Sequence, residues 1–447
     1  MNNFSLAIPS YWVSFIRKLC FRIYKRQFVR NVAVVVSGTA MAQAITMACA
    51  PFITRLYGPE AFGILGTFMA IMTVILPVAA LTYPIAIVLP KQDQEAVGLY
   101  RISSYIAIAM ALLAICILAV FGHSLTNLLQ IQSIKPFIWL IPLGILFGAW
   151  RQMNQQSLIR KKRFKITAQV AVLHAALINL SKICIGLFAP LAGVLIVIYA
   201  LGIGLNAGMM FLGLRKTSFQ QAYRHHKKMP PTQMWELAQK HYDFPLYRAP
   251  QVLLNAISQS LPILMLATFF GPASAGFYAL GKRLLELPSQ LIGNSVGSVF
   301  YPRVTAAVHT NENITRLIMK ATLGLAGIGL VPFALVIAFG PWLFGYIFGS
   351  EWVTAGEYAR WIAMWSFFGF INKPSMVSFP ILNLQGFALA FEIFSFPLKV
   401  AALTIGFYFF ENDILSIALF SITGILVNII AISVCLYKST YFHISAK

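Results

Sequence analysis

The sequence predicts an all-α polytopic membrane protein of about twelve transmembrane helices, set as two pseudo-symmetric six-helix lobes around a central cavity. Three observations predict it. Of 447 residues, 59% are hydrophobic and 10% charged, against roughly 25% charged in soluble domains, so aqueous packing cannot hide the apolar surface. The apolar runs recur at bilayer-spanning length, with Lys and Arg gathered in alternate connections. The two halves also share landmarks at a near-constant offset.

The elements follow in chain order. Residues 1–30 interleave Arg17, Lys18, Arg22, Lys25, Arg26 and Arg30 with Trp12, Phe15, Leu19, Phe21, Ile23 and Tyr24. They lack the apolar core and cleavage site of a secretory leader and read as an amphipathic basic segment on the cytoplasmic leaflet. A hydrocarbon core of about 30 Å needs about 20 helical residues. Runs of that length fall at 32–54, 62–89, 101–121, 136–158, 166–189 and 191–213, then at 246–270, 274–302, 318–340, 357–379, 387–409 and 414–437. The domains expected are the basic segment 1–30, an N-lobe 31–213, a basic cytoplasmic connector 214–244 carrying Met229-Pro230-Pro231, and a C-lobe 245–447.

Charge sets the orientation. With the N-terminus in the cytoplasm, the tails and even-numbered loops collect 24 Lys/Arg and the odd-numbered loops hold two, Arg55 and Lys135. By the positive-inside rule this places both termini in the cytoplasm. All outer connections are short, which leaves no room outside for a catalytic or receptor domain. The net charge of +22 does not point to nucleic acid, because that needs basic residues on one water-facing patch. Cys20, Cys49, Cys116, Cys184 and Cys435 are scattered, without CxxC or a His partner, so neither a disulfide nor a metal is expected.

Gly58-Pro59-Glu60-Ala61-Phe62-Gly63 lies between the first two spans. Gly271-Pro272-Ala273-Ser274-Ala275-Gly276 lies between the seventh and eighth, 213 residues later. Pro90 and Pro302, closing the second and eighth spans, are 212 apart. Six spans per half make the repeat parallel, related by an axis along the membrane normal, with a cavity at the interface.

Eight cations remain in or near spans: Arg151, Lys182, Arg248, Lys282, Arg283, Arg360, Lys373 and Lys399, offset there by Glu286 and Glu392. Leaving Lys182, Lys282, Arg283, Lys373 and Lys399 against lipid would cost on the order of 10 kcal/mol or more, so they are expected to face a wet interior that attracts anions. Arg151, Arg248 and Arg360 lie near span ends, where side chains snorkel to headgroups. Glu286 can staple Lys282 or Arg283 one turn away, and Glu392 can meet Lys399. Gln43, Thr46, Asn154, Asn179, Asn206, Asn255, Gln259, Asn294 and Asn372 read as interhelical glue. Together with Tyr83, Trp150, Tyr199, Tyr278 and Trp365 they could equally line a sugar cavity. His174 reads as a satisfied packing residue.

Two motifs mislead. Gly276-Phe277-Tyr278-Ala279-Leu280-Gly281-Lys282-Arg283 approaches a P-loop but lacks the final Ser/Thr and a preceding strand. Gly293-Asn294-Ser295-Val296-Gly297 spells a nucleophile elbow inside a helix, where it fits helix packing instead.

Arg55-Leu56-Tyr57-Gly58-Pro59-Glu60-Ala61-Phe62-Gly63, then Phe269-Phe270-Gly271-Pro272 with Gly276-Phe277-Tyr278-Ala279, and Tyr301-Pro302, resemble the Wzx-type O-antigen and polysaccharide flippases of the multidrug/oligosaccharidyl-lipid/polysaccharide exporter superfamily. The resemblance covers most of residues 30–437. It implies a non-enzymatic transporter of a bacterial inner membrane, moving undecaprenyl-pyrophosphate-linked oligosaccharides by alternating access, with no cofactor beyond a coupling H+ or Na+. It implies as partners the lipid bilayer, a polysaccharide polymerase and a chain-length regulator, and no nucleic acid. By location, it makes Lys182, Lys282, Arg283, Lys373, Lys399, Arg151 and Arg248 the substrate contacts and Glu286 and Glu392 the ion-coupling residues. Lobe 1–213 would rock against 245–447 on segments kinked at Pro51, Pro84, Pro288 and Pro397. A drug or toxin exporter of the same superfamily is the alternative, but cationic drugs call for more buried carboxylates than these two. A polymerase or ligase would need a large outer loop.

Overall fold

A computed structural model of the chain describes residues 10–444 apart from 129–130, 216–229, 311 and 383. The side-chain pattern of the basic segment 1–30, most of the connector, and the side chains of Pro288, Asn294 and Pro302 lie outside the described residues.

The described chain is helical throughout. Helix α1 (Ser10–Ile75) contains the first two spans, broken at Gly58, whose φ of 68° and ψ of 172° only glycine adopts readily. Pro59 then opens the second helix, at the position where its missing N–H costs nothing. After a 3₁₀ turn at Leu76–Val78 comes α2 (Tyr83–Ala86), then α3 (Asp93–Leu128), α4 (Leu140–Arg160), α5 (Phe164–Gly186) and α6 (Ala192–Leu214). The connector folds as α7 (Pro231–Lys240). The second half is α8 (Ala249–Phe270), α9 (Pro272–His309), α10 (Ile314–Phe348), α11 (Val353–Ile371), α12 (Lys373–Ser378), α13 (Gln385–Phe410) and α14 (Asp413–Ile444). Eight described segments are long and apolar enough to cross a membrane. The first of them turns at Gly58 and supplies two spans, and the more polar α4, α9 and α11 complete the twelve.

The repeat is visible in the backbone. Gly271, between α8 and α9, has φ 87° and ψ 176°, nearly the conformation of Gly58. Two departures from the expected spans share one cause. The second span does not run unbroken to residue 89: beyond Ile75 it unwinds, with Leu81 and Thr82 at positive φ. The tenth ends at Ile371, and Lys373–Ser378 forms a separate short helix. In both places proline (Pro77 and Pro84, then Pro374) removes a helical donor and clashes with the preceding turn.

Each half has its own core. Phe68 and Met72 are fully buried in the first, and Tyr278, Trp352, Tyr358 and Phe370 in the second. Asp413, at the start of α14, accepts hydrogen bonds from Tyr358 Oη (2.6 Å) and Ser274 Oγ (3.0 Å), joining three helices at one end of the second lobe. At the opposite end of the first lobe, Arg160 donates to the carbonyls of Pro90 and Lys91 and to Asp93 Oδ1 at 3.1 Å. Lys161 meets Asp93 Oδ2 at 2.5 Å. The halves meet mainly where α1 packs on α8 and α9. Phe62 of α1 reaches the second core, edge-on to Trp352 with centroids 5.3 Å apart.

Candidate substrate cavity

A cavity of about 350 Å³ opens between the two halves, walled by α1, α5, α8 and α9. The wall from α1 is a helical stripe: Thr46, Met47, Ala50 and Ile53 before the Gly58 break, and Phe62, Leu65, Gly66, Met69 and Thr73 after it. Residues three and four apart share a face, so each stretch presents one side to the cavity. Asn179 and Lys182 enter from α5; Gln259, Ser260 and Ile263 from α8; Lys282, Arg283 and Glu286 from α9.

Of the nine sequence-derived site residues, the fold brings four together here: Lys182, Lys282, Arg283 and Glu286. Lys282 is held in place. Its ammonium donates to the Gln259 carbonyl at 3.1 Å, lies 3.7 Å from Glu286 Oε1 and sits over the Tyr278 ring at 5.8 Å. Its side chain keeps 15% of its surface and that of Glu286 43%, so the carboxylate is the more open of the pair. Lys182 and Arg283 come from opposite lobes, near enough for their charges to interact. The wall therefore carries three cations against one carboxylate that is already paired. In a low-dielectric setting that imbalance favours an anion, which would satisfy charges the fold leaves unmatched.

The other five sequence-derived site residues lie outside this wall. Arg151 stands beside Tyr199 within the first lobe. Arg248 is exposed and donates to Gln251 Oε1 at 3.0 Å. Lys373 starts α12 and Lys399 lies in α13. Glu392 accepts from Ser258 Oγ at 3.3 Å rather than pairing with Lys399. Arg360, expected to snorkel, is stapled to Glu357 at 3.2 Å.

The polar residues divide cleanly. Asn154 is glue, accepting from Tyr100 Oη and donating to the Ala207 carbonyl, both at 2.9 Å. Asn372 donates to Asn428 at 2.9 Å, and His174 bonds the Gly202 carbonyl at 2.9 Å. Asn179, Thr46 and Gln259 face the cavity, with Asn179 donating to Thr46 at 3.2 Å. The aromatic residues expected there lie elsewhere: Tyr83 bonds the Ala238 carbonyl and Tyr278 is fully buried. The aromatic ring in the wall is Phe62. Phe62, Met69 and Thr73 escaped sequence reasoning, although their spacing of seven and four continues one helix face.

Two six-helix halves around a charged interfacial cavity define a membrane protein with a transporter fold. The chain belongs to the polysaccharide biosynthesis protein family, whose model matches residues 52–357. Among solved structures, an inward-facing multidrug resistance MATE family transporter of the MOP superfamily superposes with a TM-score of 0.69 at 13% identity, covering 90% of this chain and 98% of that one. An outward-facing MATE family transporter gives 0.56 at 13% identity, covering 93% and 95%. A MOP superfamily transporter from Pyrococcus furiosus, described as having a binding pocket of reverse polarity, gives 0.56 at 14% identity, covering 93% and 95%. No curated protein matches the chain.

Proposed function

We propose that this protein is a flippase that carries undecaprenyl-pyrophosphate-linked oligosaccharide repeat units from the cytoplasmic to the periplasmic leaflet of the inner membrane, by alternating access, for O-antigen or another surface polysaccharide. The observation that carries the reading is the excess of cations at the lobe interface: Lys182 from one half, Lys282 and Arg283 from the other, with a single carboxylate among them. A diphosphate is an anion matched to such a wall, and the side-chain amide oxygens of Asn179 and Gln259, whose amide nitrogens donate to neighbouring residues, can accept from sugar hydroxyls. Membership of the polysaccharide biosynthesis family supports this cargo over a drug. A cationic drug would face repulsion at this wall, because Glu286 is committed to Lys282. In this reading lobe 1–213 rocks against 245–447 and delivers units to a polymerase and a chain-length regulator. Glu286, the more open member of its pair, is the candidate for coupling to H+ or Na+.

The test is gene deletion followed by complementation. Wild type restores surface polysaccharide and clears lipid-linked units from the cytoplasmic leaflet. Lys182→Ala, Lys282→Ala and Arg283→Ala fail to do so, whereas Arg248→Ala, outside the wall, succeeds. Normal polysaccharide in the deletion strain together with raised sensitivity to cationic drugs would overturn the flippase and favour the exporter.

A further inference from the structure

The two Gly-Pro turns do more than reverse the chain. Gly63 and Gly276 each stand five residues after the positive-φ glycine of their half, and the lobes touch at them reciprocally. A Cβ on Gly63 would lie 1.5 Å from the Pro272 carbonyl oxygen, and a Cβ on Gly276 would lie 2.2 Å from the Pro59 carbonyl oxygen. Each turn thus offers a carbonyl and the gap that receives its partner's carbonyl, as an approximate two-fold axis between them requires. A second set of contacts crosses the lobes beside the turns. Arg55 Nη2 donates to the Tyr346 carbonyl at 2.7 Å, and Trp352 Nε1 donates to the Thr54 carbonyl at 3.2 Å. The cavity begins at the same place, because Phe62, adjacent to Gly63, belongs to its wall.

We propose that the paired Gly-Pro turns are the outer gate of this cavity, that it is shut in this structure, and that Gly63 and Gly276 set how closely the lobes can meet. The inference rests on the alternating-access reading above but not on the identity of the cargo. No Cβ approaches a backbone oxygen at these distances, so even a methyl group at either position must hold the lobes apart at this end. Parted turns also pull Arg55 and Trp352 away from their acceptors, so the bonds that keep the gate shut fail together with the packing.

The experiment uses the full-length protein in intact cells, with its five cysteines replaced and one introduced at Thr73→Cys, on the cavity wall. A membrane-impermeant maleimide applied from outside reads the gate. The shut gate gives weak labelling. Gly63→Ala and Gly276→Ala raise it about tenfold, equivalent to a population shift of about 1.4 kcal/mol. Gly324→Ala, where an added methyl meets open space, leaves it at the starting level. Arg55→Ala combined with Trp352→Phe, which removes the latches and adds no volume, raises it as well. Unchanged labelling in glycine variants that reach the membrane at wild-type amounts overturns the proposal. Where those variants do not accumulate, unchanged labelling of the latch variant overturns it. Labelling needs no cargo, so normal polysaccharide in the deletion strain would sink the flippase reading and leave this result standing.

Discussion

Arg160 shows how much one side chain can hold at a membrane border. With 9% of its side chain exposed, it ties the end of the second span to the start of α3 through backbone carbonyls and Asp93. Arg160→Ala leaves these acceptors unmatched and is expected to cost about 3 kcal/mol, as for a broken buried pair. Thermal unfolding in detergent measures the loss, and Arg160→Lys should recover only part of it, because an ammonium cannot fork between acceptors. Burial pulls the Asp93 carboxyl upward, but hydrogen bonds and charges from Lys161 and Arg160 outweigh it and hold the group below its ordinary value. A depressed folded value contributes stability fully present above the unfolded carboxylate value, about 3.9, and lost as pH falls through the folded one. The melting temperature should therefore drop on acidification below about pH 4, and Asp93→Asn should flatten that limb. None of this was legible in the sequence, where Arg160 is one of five cations at 160–165 and its partners, backbone carbonyls and the Asp93 carboxylate, lie some 70 residues away. The cavity cations were partly legible. Their cost in lipid singled out Lys182, Lys282 and Arg283, but spans that are apolar on nearly every side do not tell which face meets water. For that reason Lys373 and Lys399 could not be separated from them.

At the scale of elements, small residues set the closest approaches. α10 and α11 cross where a Cβ on Gly340 would lie 2.6 Å from the Gly356 carbonyl oxygen, and one on Gly356 would lie 2.5 Å from that of Gly340. Gly356→Ala should cost about 1–3 kcal/mol by overpacking, while Gly208→Ala, which meets nothing within 4 Å, should leave the melting temperature unchanged. The existence of each span was readable from length and hydropathy. The ends were less so: α10 continues to Phe348 with Pro341 inside it, past the end at residue 340 expected for the ninth span. A proline removes one helical donor wherever it stands, and whether the surrounding helices make the loss good, as at Pro341, or the chain unwinds, as at Pro77 and Pro374, is decided by packing that no local stretch of sequence records.

For the whole molecule, the twelve-span plan and the parallel repeat were both visible beforehand, because bilayer thickness and charge asymmetry act on the chain as a whole. Orientation makes a direct prediction. A fluorescent protein fused after Lys447 should fluoresce and a phosphatase fused within 187–191 should be active, whereas the reverse pattern would invert the topology. The cavity's position between halves followed from the repeat, but its walls required the fold. One feature separates the halves. Only the first has an unwound second span, and that stretch grips the connector: Thr82 Oγ1 donates to the Phe244 carbonyl at 2.8 Å and Tyr83 Oη to that of Ala238 at 3.1 Å. Its counterpart in the second half, α9, is one continuous helix from Pro272 to His309. The two halves, alike in plan, are thus distinct components: the first owns the strap that joins them, and the second, lacking the broken segment, could not stand in for it if the order of the halves in the gene were exchanged.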